Sequence, residues 1–156
     1  MGNYKKIYDN WQKYPKTFWK EQSKNIDWEQ NPEKILDDGN KPFYKWYPDG
    51  SLNTCFNAID RHVINGRGEQ DAILYDSPVT NTKKKITYSE LKYQVSIFAG
   101  ALKKLGVLKG DRVIIYMPMI PEALVAMLAC SRLGAIHSVV FGGFASNELA
   151  VRIDDC

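Results

Sequence analysis

The side chains able to do chemistry in this chain are few and scattered. Gly142-Gly143 stand between an apolar run, AIHSVVF, and an amphipathic one, ASNELAVRI. Glycines at that place let a ligand approach the backbone closely, and they equally let a strand turn tightly into a helix. The pair is not GxGxxG and no Lys-Ser/Thr follows it, so neither dinucleotide nor P-loop chemistry is implied. Taken alone, a tight turn explains it better. Asp60-Arg61-His62 has residue types suited to acid–base work, but beside Asn65-Gly66-Arg67-Gly68 it reads as a capping and ion-pair cluster at a helix end. His137, inside an apolar strand, reads as a satisfied core histidine. Cys130, within MLACSRL, reads as a small buried hydrophobe rather than a nucleophile. Asp154-Asp155 imitates a metal-binding pair, yet adjacent residues on a helix point about 100° apart. Cys55, Cys130 and Cys156 are far apart in the chain, as are His62 and His137, so no metal-ligand spacing exists.

These residues depend on elements that the hydrophobic pattern delineates. LNTCFNAIDRHV has apolar residues at Leu52, Phe56, Ile59 and Val63, a helical spacing, with Asn53 or Thr54 as caps. AILYD (72–76) and KKITY (84–88) predict a hairpin around SPVTNT. Thr87-Tyr88-Ser89-Glu90 is a capping box, in which the Thr hydroxyl accepts from the Glu amide and the Glu carboxylate reaches back. It opens a helix marked by Leu91, Val95, Phe98, Leu102 and Leu105 and closed by Gly106. RVIIYM (112–117) is an unbroken apolar run, predicting a strand buried on both faces. Pro121 suits the first turn of the helix PEALVAMLACSRLG, which Gly134 closes. AIHSVVF (135–141) is a second apolar strand and ASNELAVRI begins a third helix. Strand, helix, strand, helix at this spacing predicts βαβ units and a parallel sheet.

Composition changes near residue 65. All four tryptophans lie in the first 47 residues, a lysine-rich segment broken by Pro15, Pro32 and Pro42. With no long periodic face of its own, it predicts short helices and loops that lay aromatic rings onto something else. The whole chain is 44% apolar and 25% charged, as soluble globular domains are. A net charge of +3 is too small to argue for nucleic acid or an anionic membrane. No apolar run approaches the roughly 18 residues that a membrane span needs. Met1-Gly2 is followed by Lys at position 6, against a myristoylation signal. Unpaired cysteines and the lack of an apolar leader in MGNYKKIYDNW point to a cytoplasmic protein.

KWYPDGSLN, DRH, YDSPVTNTKKKITYSEL, GVLKGDRVIIYMPMIPEA, MLACSRLGAIHSVVFGGFAS and ELAVRIDDC together resemble the AMP-forming short-chain acyl-CoA synthetases. YPKTFWKEQ is similar to that family's N-terminal cap. The resemblance implies an α/β fold with an aromatic-rich helical and loop cap over residues 1–64. The beginning of the βαβ parallel-sheet, adenylate-forming (AMP-binding) domain would then occupy 65–156. It implies a ligase whose substrates are a short-chain carboxylic acid, ATP with Mg2+, and coenzyme A, with no nucleic acid or membrane partner. DSPVTNTK is more similar to the propionate–CoA ligase branch than to the acetate–CoA ligase branch.

In that family the Ser/Thr/Gly-rich phosphate loop, the ribose-binding aspartate and the catalytic lysine all lie downstream of the matching region. No residue here stands in for them, so the resemblance implies an N-terminal fragment, inactive alone, whose further partner is the remainder of its own chain. A non-catalytic binding module and a truncated product are the alternatives of another class. The resemblance assigns no catalytic residue or metal ligand to this chain, and it implies that Phe141, Gly142 and Gly143 line the tunnel through which the pantetheine arm of CoA reaches the acyl-adenylate.

Overall fold

The computed structural model describes residues 3–156; Met1-Gly2 and the lipidation pattern weighed on them lie outside the described residues. Two compact units divide between Leu52 and Asn53.

In the first unit, α1 (Tyr4–Lys13) and α2 (Pro15–Gln22) bury no residue of their own. Pro15 opens α2, where its missing N–H costs nothing. A short antiparallel pair, β1 (Leu36–Asp37) and β2 (Lys45–Trp46), follows. The aromatic rings also pair with one another, while Tyr4, Tyr8, Trp19 and Trp46 remain exposed. Tyr4 stacks on Tyr8 at 5.8 Å and Tyr8 meets Trp11 edge-on at 5.7 Å, the i, i+4 and i, i+3 neighbours of a helix. Trp19 meets Trp46 at 5.7 Å and Trp28 meets Tyr47 at 5.3 Å. The polar ends of two rings are satisfied by the backbone: Trp28 donates to the Ser23 carbonyl and Tyr47 to the Trp19 carbonyl, each at 2.9 Å. Sequence periodicity missed this because the pairs join residues as far apart as Trp19 and Trp46.

In the second unit the Asn53 side chain caps the first turn, accepting from the Phe56 amide at 3.0 Å. The helical segment that follows is widened into a π-helical stretch at Phe56–Asp60 and kinks at Asn65-Gly66, where Gly66 has φ +79°, so it does not keep the 3.6-residue register. Cys55, Ile59 and Asp60 are buried, whereas Phe56 is exposed.

β3 (Asp71–Ser77) and β4 (Thr82–Thr87) form the expected antiparallel hairpin. The capping box is complete: Thr87 Oγ1 accepts from the Glu90 amide at 3.2 Å and Glu90 Oε2 accepts from the Thr87 amide at 2.8 Å. Such a cap stabilises a helix by about 1 kcal/mol. It opens α3 (Tyr88–Lys104), whose buried stripe is Leu91, Val95, Ala99 and Leu102. The predicted stripe included Leu105, but that residue is 82% exposed because the helix has already ended there. Gly106, at φ +94°, closes the helix, with the Val107 amide on the Leu102 carbonyl and the Gly106 amide on the Lys103 carbonyl.

β5 (Arg112–Met117), α4 (Pro121–Leu133) and β6 (Ile136–Phe141) form a βαβ unit, with β5 and β6 parallel in register Arg112↔Ile136 through Met117↔Phe141. The expectation of strands buried on both faces fails. Only Ile115 and Val140 are fully covered, while Tyr116, Ile136, Val139 and Phe141 are exposed. The reason is that, among the described residues, the parallel sheet has two strands, and α4 packs against both. The core lies where α3 and α4 meet over Ile86, Val125, Ala129 and Cys130. Small alanines there let the two helices approach closely. α5 (Ser146–Asp155) completes the chain's elements and buries no residue.

Candidate ligand turn at the carboxyl end of the parallel strands

Phe141-Gly142-Gly143 fall where the parallel pair ends and the chain turns toward α5. That is the edge at which open α/β sheets receive their ligands. The turn closes on itself, the Phe144 amide donating to the Phe141 carbonyl at 3.1 Å.

The two glycines have different reasons to be there. Neither lies in the left-handed region of backbone space, where Gly66, Gly106, Gly110 and Gly134 are found. A Cβ on Gly142 would stand 3.0 Å from the Met117 carbonyl carbon and 3.0 Å from the Pro118 nitrogen. Gly142 is therefore small because the end of β6 presses on the backbone leaving β5. A Cβ on Gly143 would first meet the Phe141 ring, 2.7 Å from its Cε1. That ring is 60% exposed and belongs to a flexible side chain. Gly142 is thus pressed by backbone, and Gly143 is covered by the exposed Phe141 ring.

Three residues that sequence reasoning passed over, Tyr116, Phe144 and Arg152, complete the arrangement. Tyr116 donates its hydroxyl to the Phe144 carbonyl at 2.7 Å. Phe144 meets Phe141 edge-on at 6.0 Å, and the Arg152 guanidinium from α5 lies 5.0 Å from its ring centroid. The helix pattern of ASNELAVRI placed Arg152 one turn and more along α5, but nothing in the spacing says which ring it reaches. The result is an exposed aromatic rim with backbone groups and one cation, able to bind and guide a ligand. It holds no nucleophile or general base.

The other sequence candidates are accounted for elsewhere. The expected ion-pair cluster around Asp60 exists but reaches further. Asp60 Oδ2 accepts from Arg132 of α4 at 2.6 Å, and Lys92 of α3 lies 3.7 Å from Oδ1. Arg67 and His62 Nδ1 form a contact beside it, and the His62 ring meets Tyr88 edge-on at 4.9 Å. His137 is half-buried in β6. Burial pushes the thiols of Cys55 and Cys130 up from their ordinary value, the Arg132 charge opposing this at Cys55, so both stay protonated and unreactive. Asp154 and Asp155 are exposed at the end of α5. Among the described residues no three His, Cys, Asp or Glu side chains come together as metal ligands. A hollow of about 460 Å³ between α3 and α4, lined by Ile97, Phe98, Met117 and Val125, offers only Gln94 and Glu122 as polar groups. No helix among the described residues is long and apolar enough to cross a membrane.

The profile described as AMP-binding enzyme matches residues 61–156, and that described as Acetyl-coenzyme A synthetase N-terminus matches residues 4–58. The chain belongs to the AMP-binding enzyme family. It is 57% identical over 140 residues to the Acyl-CoA synthetase short-chain family member 3, mitochondrial, of Bos taurus, covering 90% of this chain and 20% of that protein. To the Acetyl-coenzyme A synthetase of Streptomyces coelicolor it is 53% identical over 138 residues, covering 88% of this chain and 21% of that protein. The fold is similar to that of the Acetoacetyl-CoA Synthetase from Streptomyces lividans, with a TM-score of 0.87 and 29% identity, covering 99% of this chain and 24% of that one. The chain thus spans about a fifth of the length of the curated relatives it matches. The α/β architecture read from the sequence is the fold this family member has, with the aromatic unit preceding the βαβ unit.

Proposed function

We propose that this chain serves an AMP-forming acid–CoA ligase, residues 1–64 acting as its cap and 65–156 opening its adenylate-forming domain. The observation that carries the reading is the pair of family matches in tandem, an acetyl-CoA synthetase N-terminus followed at once by an AMP-binding region. In such a ligase a carboxylate oxygen attacks the α-phosphorus of Mg·ATP, giving acyl-adenylate and releasing pyrophosphate. The CoA sulfur then attacks the acyl carbon, AMP leaves, and the thiol proton is lost. No residue of this chain is assigned to either bond-making event.

Phe141, Gly142 and Gly143 are proposed to line the path of the CoA arm. Their place beyond the carboxyl ends of parallel strands supports this, as does the exposure of the Phe141 ring that lies against Gly143. Propionate is the proposed acid on the strength of DSPVTNTK, with acetate the nearest competitor, and the cytoplasm is the proposed compartment. The complete gene product, purified and supplied with ATP, CoA and either acid, tests the reading. Thioester formation with kcat/KM higher for propionate is the expected result. Higher kcat/KM for acetate overturns the acid assignment, and no thioester from any short acid overturns the ligase reading.

A further inference from the structure

The Phe141–Phe144 turn is attached to the end of β5 at two points. At Gly142 the attachment is bare backbone contact with Met117 and Pro118. At Phe144 it is a single hydrogen bond, from the Tyr116 hydroxyl to the carbonyl at 2.7 Å. The strand end therefore holds the turn by backbone packing at Gly142 and by a directed polar contact at Phe144.

Tyr116 is 42% exposed, so its ring does not fill the core, and a phenylalanine would pack there as well. What the hydroxyl adds is a fixed position for the Phe144 carbonyl. Phe144 in turn bears edge-on against Phe141, whose Cε1 lies 2.7 Å from where a Gly143 Cβ would stand. Hydroxyl, carbonyl, Phe144 ring and Phe141 ring form a continuous chain of contacts ending at the exposed wall of the turn.

We infer that Tyr116 is a positioning residue for the CoA-dependent step, its hydroxyl fixing the Phe141–Phe144 turn and so the place of the exposed Phe141 ring. The inference rests on the CoA-path reading above. It differs from a general structural role in one respect: a residue that only stabilised the fold would weaken adenylation and thioester formation together.

Tyr116→Phe in the complete gene product removes the oxygen alone. A net hydrogen bond contributes enough to shift an equilibrium roughly two- to twelvefold. Hydrogen exchange at residues 141–145 should quicken by a factor in that range. The KM for CoA should rise by a similar factor at an unchanged saturating rate, so the ratio of thioester formation to propionate-dependent pyrophosphate exchange falls at subsaturating CoA. Unchanged hydrogen exchange overturns the inference, and so does faster exchange with an unchanged KM for CoA or an equal fall in both half-reactions. An unsubstituted protein that forms no thioester overturns the ligase reading and this inference together. An active one indifferent to Tyr116→Phe overturns this inference alone.

Discussion

Gly142→Ala should loosen the end of β6, and the structure sets the scale. The new methyl would lie 3.0 Å from both the Met117 carbonyl carbon and the Pro118 nitrogen, and 3.2 Å from the Met117 oxygen. These are backbone atoms, and Pro118 has its φ fixed by its ring, so no rotamer change relieves the contact. The end of β6 must instead move away from β5, an overpacking cost of about 1–3 kcal/mol. Because Gly142 is outside the left-handed region, alanine also narrows the unfolded ensemble, which returns about 0.4–1 kcal/mol. At the centre of these ranges the net cost is about 1.3 kcal/mol, or roughly tenfold in the frequency of local opening. Hydrogen exchange by mass spectrometry over residues 136–146, referenced to α3, reads this directly. Gly143→Ala, which displaces only the exposed Phe141 ring, should change exchange there by less than about threefold. Equal effects of the two substitutions, or no effect of Gly142→Ala, would refute the reasoning that separates them.

Three further outcomes follow from the contacts described. Asp60→Asn or Arg132→Met alone should cost about 2–3 kcal/mol in chemical denaturation, less than a fully buried pair because water reaches Arg132. Asp60→Leu combined with Arg132→Met should recover most of the loss, and strict additivity of the single costs would contradict the pairing. A thiol reagent should label Cys156 quickly in the folded chain and reach Cys55 and Cys130 only on unfolding, since those two are buried with raised pKa values; rapid labelling of all three cysteines would contradict this. Partial desolvation pushes the Asp49 carboxyl up, but the backbone amides of Glu33 and Lys34 outweigh it, and the net pKa is lowered. Its contribution is then present above the ordinary aspartate value and lost as pH falls through the lowered one. Tryptophan fluorescence should report loosening of the first unit in that acid range, and Asp49→Asn should remove that part of the pH dependence.

Local signals were legible where the determinants lie within one turn or one hairpin. The Thr87–Glu90 box, the glycine stops at Gly106 and Gly134, Pro121 and the β3–β4 hairpin all depend on near neighbours. What could not be read was set by residues distant in sequence. The π-helical widening at Phe56–Asp60 accompanies the packing of Cys55, Ile59 and Asp60 at the core and the ion pair to Arg132, and no 3.6-residue count reveals it. The exposure of β5 and β6 depends on how many strands flank them, which an apolar run does not state. At the candidate turn the sequence marked Gly142 and Gly143 as a pair, whereas the structure gives them separate neighbours. Tyr116 went unnoticed because one hydroxyl in an apolar strand carries no periodic signal.

The central claim is that Phe141-Gly142-Gly143 border the path of CoA and take no part in forming the adenylate. Gly143→Leu in the complete gene product tests it most directly, with pyrophosphate exchange and thioester formation measured separately on protein whose circular dichroism and hydrogen exchange outside residues 136–146 match the parent. A branched side chain beside the Phe141 ring should obstruct the passage. An overpacking cost of about 1–3 kcal/mol, at tenfold in rate per 1.36 kcal/mol, corresponds to roughly one to two orders of magnitude. The account predicts that loss in thioester formation with exchange retained. An equal loss in both half-reactions would contradict it and leave Gly143 as a packing turn.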